Sequence, residues 1–379
     1  MQSSKSTKFS RLGFNLKKIY AAEIVLEANH CSKKEVLNYF LDKFKEYCLE
    51  ESELFKQFFQ GFYYSGSYFE GLRVSKATEF DVNVVFSFLP YTEYYTGELE
   101  TPLSYTTVKL KHPVKCYEKL VRFLDAENYL VPKKVRSWFQ SLTEIFLTNV
   151  EISYPGLTQV KITHSGPART ILILYNFEWI SIDLVPVFSI DPVHLQKYTV
   201  KHIQDISEEH ILQKSLSQCF IVPKPLKKEL SSFLTCASVE RAWRIHFPET
   251  EKSILQGKYA LKPLIKLMKD LRDKERWPIA SYFIKMVAFW LVKEYPQQYY
   301  WNDSRFGLMF LKFLEALEMH LKAKHLGHIM YPKFNLFHSL PPRTIKNLQK
   351  RVHNIIVNLR VNPKLAYKLF RVPIGDLVL

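Results

Sequence analysis

Glu79, Asp81 and Asp183, with the pair Gly66-Ser67, are the residues of this chain whose types and spacing suit a reaction. Glu79 and Asp81 stand one residue apart in EFDVNVVFSF, a run rich in Val and Phe and free of Gly and Pro that reads as a β-strand. Side chains two apart on a strand share a face, so the two acids point together while Phe80 and Val82 turn to the core. Asp183 lies in the apolar ISIDLVPVF, where an ionised carboxylate is costly to bury unless a cation or donor pairs with it. Gly66-Ser67 falls in the turn-like YYSGSYFEGLR, where backbone N–H groups and a serine hydroxyl suit the oxygens of a triphosphate. Carboxylates gathered in one place suit divalent cations. Two such ions stabilise the attacking oxygen, the phosphorus centre and the leaving pyrophosphate when a nucleotidyl group is transferred. Each element also has an ordinary reading: a solvated strand end for ExD, an ion pair with a buried Arg or Lys for Asp183, a plain turn for Gly-Ser. The combination, GS, eleven residues, ExD and a later lone Asp on a strand, favours the metal site over those readings.

The elements that must position these residues can be read from periodicity. From about Lys33 to Gln60, Val36, Leu37, Phe40, Leu41, Phe44, Cys48, Leu54, Phe55, Phe58 and Phe59 recur at helical spacing, as one long helix or two joined end to end. RTILILYNF and EWISIDLVPVF adjoin closely and read as a β-hairpin. Beyond about residue 205, RAWRIHF, KSILQGKYALKPLIKLMKDLRDKERW, IASYFIKMVAFWLVKEY and RFGLMFLKFLEALEMHLKAKHL carry mostly helical periodicity. The expected fold is therefore α+β and bilobal. A mixed-sheet catalytic lobe with a long N-terminal helix spans residues 1–204, and a helical lobe spanning 205–379 completes the nucleotide cleft.

Composition narrows the partners. The 379 residues are 47% hydrophobic and 15% aromatic, enough for a large core or two smaller ones. With 53 Lys plus Arg against 37 Asp plus Glu, the formal charge of +16 favours polyanionic partners. No apolar run reaches spanning length and the basic N-terminus lacks a secretory core, so a cytoplasmic protein without a membrane anchor is expected. Cys31, Cys48, Cys116, Cys219 and Cys236 form no CxxC pair and read as reduced structural thiols. His325, His328 and His338 have no neighbouring cysteine to complete a zinc site and read as solvated or hydrogen-bonded.

The segments GSYFEGLRVSKATEFDVNVVF, SGPARTILI, ISIDLVPVF, RAWRIHFPETEKSIL, LIKLMKDLRD, ASYFIKM and YPKFNLF, in that order from about residue 60 to 340, resemble the cyclic GMP-AMP synthase family. The family includes the animal cGAS-like receptors and their male-abnormal relatives, within the nucleotidyltransferase superfamily. The resemblance implies that Glu79, Asp81 and Asp183 bind two Mg²⁺ or Mn²⁺ ions and that Gly66 and Ser67 cradle the triphosphate. It also matches Lys269 to a phosphate-contacting lysine, Ser281 and Tyr282 to a pair that contacts phosphate and stacks a base, and Arg244 to a base-reading arginine. On the residues alone, Tyr282 would be a core aromatic, Ser281 a cap or surface hydroxyl, and Arg244 and Lys269 a solvated helix face. The complete triad resembles catalytic members, which join ATP and GTP into a linear dinucleotide and then cyclise it into a messenger sensed by a downstream receptor. One linkage of that product is 2′–5′ in some members and the other 3′–5′.

The DNA-sensing vertebrate enzymes carry a His-Cys-Cys-Cys insertion where this chain runs SILQGKYALKPLIKLMKD, so no zinc is expected. Insect-type receptors that share this lack respond to double-stranded RNA, which makes RNA the preferred activator over DNA, with ligand-induced dimerisation compatible with that role. The cations available for phosphates include Lys33, Lys34, Lys43 and Lys45 on the long helix, and Lys133, Lys134 and Arg136. Each cluster alone reads equally as a solvated face. The rival functions are an oligoadenylate-synthase-like enzyme making linear 2′–5′ chains, a non-catalytic nucleic-acid-binding scaffold, and a template-independent polymerase.

Overall fold

The computed structural model describes residues 2–24, 30–74, 78–87, 92–95, 104–110, 118–165, 168–190, 219–226 and 235–372. The helical run at the start is two helices joined end to end, α2 (His30–Glu51) and α3 (Glu53–Phe58), following α1 (Gln2–Glu23). Ser52 marks the break: its hydroxyl accepts the Phe55 N–H at 3.2 Å and caps α3. The apolar stripe Val36, Leu37, Phe40, Leu41, Phe44 and Cys48 is buried. It packs on α6 (Pro132–Asn149) through edge-to-face pairs of Phe40 and Phe44 with Phe146 and of Phe44 with Phe139. The short helices α4 (Gly66–Phe69) and α5 (Glu118–Val121) lie between α3 and α6 in the chain.

Helical periodicity stops at Phe59, where β1 (Phe59–Ser65) begins a strand that the sequence reading did not contain. It pairs antiparallel with β2 (Glu79–Phe86), and β2 pairs parallel with β7 (Glu178–Ile190). The expected hairpin is β6 (Ala168–Tyr175) with β7, and β5 (Leu157–Ser165) extends it. The far end of β7 pairs with β8 (Cys219–Val222), and the sheet continues through β9 (Trp243–His246) and β4 (Tyr105–Leu110) to β3 (Thr92–Tyr95). The sheet is mixed and, among the described residues, has nine strands.

The remaining helices are α7 (Cys236–Arg241), α8 (Pro248–Leu255), α9 (Leu261–Lys274), α10 (Ser281–Glu294), α11 (Phe306–Ala323), α12 (Pro342–Val361) and α13 (Leu365–Leu369). A small hairpin, β10 (Gly327–His328) with β11 (Tyr331–Asn335), sits beyond α11. Among the described residues from α9 onward, the regular structure is helical apart from that hairpin. Among the described residues no helix is long and apolar enough to cross a membrane.

One expectation needs correction. RAWRIHF is not helical: Trp243 and Ile245 are buried and alternate with Arg244 and His246, the period of a strand, and the Trp243 indole N–H donates to the Leu130 carbonyl at 2.9 Å. The division at residues 204 and 205 lies outside the described residues, and the sheet runs past it, since β8 and β9 both follow. Leu12, Leu16 and Ile19 bury α1 against the helical lobe, where Gly13 and Gly307 meet backbone to backbone and the Asn15 amide donates to the Pro363 carbonyl at 3.0 Å.

The thiols of Cys48, Cys219 and Cys236 are free, whereas the Cys31 and Cys116 side chains lie outside the described residues. His325, His328 and His338 are all hydrogen-bonded.

Candidate active site

The parallel register of β2 and β7 sets Asp81 directly beside Asp183 and Glu79 beside Ser181. Phe80 and Val82 are buried on the opposite face, as the two-residue period requires. The carboxylates of Glu79, Asp81 and Asp183 each offer an oxygen within 4.8 Å of the others. Glu79 is exposed, and Asp81 and Asp183 are half-buried. Asp183 accepts a hydrogen bond from the Thr170 hydroxyl on the adjoining strand β6. Burial, then Glu79, Asp183 and Glu70, push the Asp81 carboxyl up to about 7, even with the Arg73 guanidinium in range to lower it. Three acids crowded at one strand end, one of them raised by its neighbours, make a donor set of hard oxygens suited to divalent cations.

Gly66 closes this site. It opens α4 at φ +77°, and a Cβ there would collide with the Asp81 carboxylate, so the backbone lies directly against the acid. Ser65 on β1 pairs with Asp81, and the buried Asn83 amide donates to the Ser65 hydroxyl at 3.3 Å. Arg73 donates to the Glu79 carbonyl at 2.6 Å and the Thr78 hydroxyl at 3.0 Å, fixing the entry to β2. Asn83 was legible in principle, since EFDVN continues the period of the two acids, whereas Arg73 and Thr170 carry no such signal.

The residues matched to nucleotide contacts, Arg244 on the sheet and the others on the helical lobe, are placed in unequal ways. Lys269 on α9 donates to the Leu72 carbonyl at 2.8 Å, just past the Gly66 turn, and burial lowers its ammonium to about 8. Arg244 on β9 lies 5.9 Å from the Tyr282 ring centroid, so the two residues matched to base recognition are neighbours. Ser281 opens α10, and Tyr282 turns its hydroxyl inward to donate to Glu251 at 2.9 Å. His328 Nδ1 accepts the Met330 N–H at 3.1 Å, and burial holds the ring neutral, down to about 3. Its Nε2–H therefore donates to the Tyr282 oxygen at 2.9 Å. Glu251 also holds Lys285, a contact the sequence reading missed because its members are far apart in the chain.

The basic residues chosen for nucleic acid are dispersed. Lys33 is paired with Glu178 and Lys43 with Glu46 at 3.2 Å, whereas Lys34 and Lys45 are exposed. Lys133, Lys134 and Arg136 line a surface cavity of about 720 Å³ at the start of α6. There Lys134 and Arg136 donate to the carbonyls of Leu124 and Pro223, each at 2.5 Å.

A mixed sheet carrying three adjoining carboxylates beside a glycine turn, capped by a helical lobe, defines a nucleotidyltransferase. The Mab-21 protein nucleotidyltransferase domain matches residues 68–257, and the Mab-21 protein HhH/H2TH-like domain matches residues 260–354. The chain is 29% identical over 358 residues to a cyclic GMP-AMP synthase-like receptor of Aethina tumida, covering 89% of this chain and 84% of that one. It is 28% identical over 366 residues to a cyclic GMP-AMP synthase-like receptor of Nicrophorus vespilloides, covering 92% and 94%. With cyclic GMP-AMP synthase-like receptor 2 of Drosophila melanogaster it shares 26% over 255 residues, 63% of this chain and 50% of that one. The chain belongs to the Mab-21 nucleotidyltransferase family, in the group of cyclic GMP-AMP synthase-like receptors.

Proposed function

We propose that this chain is a cytoplasmic innate immune sensor that joins ATP and GTP into a cyclic dinucleotide when it binds double-stranded RNA. The observation that carries the reading is the register of Asp81 against Asp183 with Glu79 alongside, in a chain similar over most of its length to proteins named cyclic GMP-AMP synthase-like receptors. Glu79, Asp81 and Asp183 would hold Mg²⁺ or Mn²⁺, which when bound supplies charge stabilisation at the phosphorus centre and leaving pyrophosphate.

The remaining work falls to the chain itself. The Gly66 turn brings backbone close enough to the acids to bind triphosphate oxygens, with the Ser67 hydroxyl beside it. Lys269, held at the end of that turn, supplies a cation for the phosphates, and Arg244 with Tyr282 forms the wall for a base. Lys33, Lys34, Lys43, Lys45, Lys133, Lys134 and Arg136 are the proposed contacts to the RNA backbone, where A-form duplexes are met through shape and phosphates. A downstream receptor would sense the product, and RNA-induced dimerisation fits the same scheme.

The test is incubation of the purified chain with labelled ATP, GTP, CTP and UTP, with Mg²⁺ or Mn²⁺, and with no nucleic acid, double-stranded RNA or double-stranded DNA. A phosphatase-resistant product that needs RNA and disappears with Asp81→Asn is the expected result. Linear ladders would replace this reading with the oligoadenylate one, and elongation of a labelled RNA with a terminal polymerase. No product with any ligand would favour a scaffold.

A further inference from the structure

Three charged side chains outside the acidic trio are buried together. Lys285 is 8% exposed, Glu70 7% and Glu251 2%. The Lys285 ammonium donates to both Glu70 oxygens at 2.7 and 2.6 Å and to Glu251 Oε2 at 2.6 Å. Lys285 sits in α10 between Ile284 and Met286, both fully buried, where an apolar side chain would cost nothing in desolvation. Buried ion pairs are often no more stabilising than well-packed apolar residues of similar volume, so stability does not account for this one. Its position does.

Glu70 ends α4. Its N–H donates to the Gly66 carbonyl at 3.1 Å, the Gly71 N–H to Tyr68 at 3.0 Å and the Leu72 N–H to Ser67 at 2.8 Å, so the residues that follow Gly66 form one hydrogen-bonded unit. The side chain of Glu70 is anchored to α10, and the carbonyl of Leu72 to Lys269 of α9. Two lysines of the helical lobe thus grip the exit of the turn that touches Asp81. On its other side Glu251 accepts the Tyr282 hydroxyl, which links the same ammonium to the ring beside Arg244.

We propose that Glu70, Lys285 and Glu251 are positioning residues that lock the Gly66–Leu72 turn and the Tyr282 ring to one another, so that the triphosphate turn keeps its shape only while the helical lobe is seated on it. The catalytic consequence rests on the nucleotidyltransferase reading, whereas the mechanical coupling rests on the geometry alone.

Glu70→Ala separates the two roles, because it cuts the tie to the turn while leaving Lys285 paired with Glu251. Hydrogen exchange on the full unliganded chain should show the amides of Glu70, Gly71 and Leu72 exchanging at least tenfold faster, with α11 changed less than twofold. At saturating triphosphate, kcat should fall at least tenfold, and Glu70→Gln, which still accepts from Lys285, should recover most of both effects. Unchanged exchange at residues 70–72, or a uniform rise across both lobes, would overturn the proposal. So would loss of the fold in Glu70→Ala, because the triad would then be a plain stability element. A wild-type chain with no transfer activity would count against the proposed function, and the exchange result would still decide this inference.

Discussion

Glu79, Asp81 and Asp183 form one cluster of carboxylates, and Glu70 and Glu251 form a second, yet the two clusters are balanced differently. In the second, Lys285 sits between the acids: against burial, Lys285 together with His246 and His328 holds Glu251 down at about 2, whereas burial still raises Glu70. In the first, burial and neighbouring acids leave Asp81 up at about 7 despite Arg73. The comparison teaches that the acids tying the lobes together have a lysine hydrogen-bonded between them, whereas the acids proposed to hold a ligand cation have no such ammonium among the described residues.

The sharpest way to break the comparison is to neutralise one acid in each cluster. Asp183→Asn should lower nucleotidyl transfer on the order of a thousandfold, the scale of losing several kcal/mol of charge stabilisation, in a product assay. It should leave the denaturant midpoint unchanged or raised. Lys285→Met should do the opposite to the fold, costing about 3–5 kcal/mol in a urea melt because two carboxylates are left buried and unpaired. Adding Glu70→Gln and Glu251→Gln to it should return most of that loss.

Gly66→Ala is expected to cost about 1–2 kcal/mol from the positive φ, with a further loss of activity from the collision with Asp81, read by the same melt and assay. A further effect concerns pH. Because the Asp81 carboxyl is raised in the folded chain from 3.8 to about 7, the folded state binds the extra proton between those values. Stability of the metal-free protein should therefore decline as pH rises from about 4 to 7, and Mg²⁺ or Mn²⁺ should reverse the decline above 7. A thermal melt series with and without the ion checks it.

Much of the site was legible because it obeys a local rule. Glu79 and Asp81 follow strand period, Asp183 stands out as a charge in an apolar run, and Gly66 marks a turn. The β9 strand obeyed a rule too, since Trp243 and Ile245 alternate with polar neighbours, but four residues between helical segments are too short to override their flanks. The Glu70, Lys285 and Glu251 cluster was not legible. Its members are 215 and 34 residues apart, and nothing short of the folded topology brings them together. The same holds for α1, whose apolar stripe was readable but not the surface it covers.

The most direct test of the cation-site account is Mn²⁺ binding to the purified chain at pH 8, followed by electron paramagnetic resonance without nucleotide. Wild type and Glu70→Gln should bind alike, while Asp81→Asn and Asp183→Asn should each weaken binding at least tenfold. Equal binding by all four chains would contradict the claim that the carboxylates of β2 and β7 are the cation site.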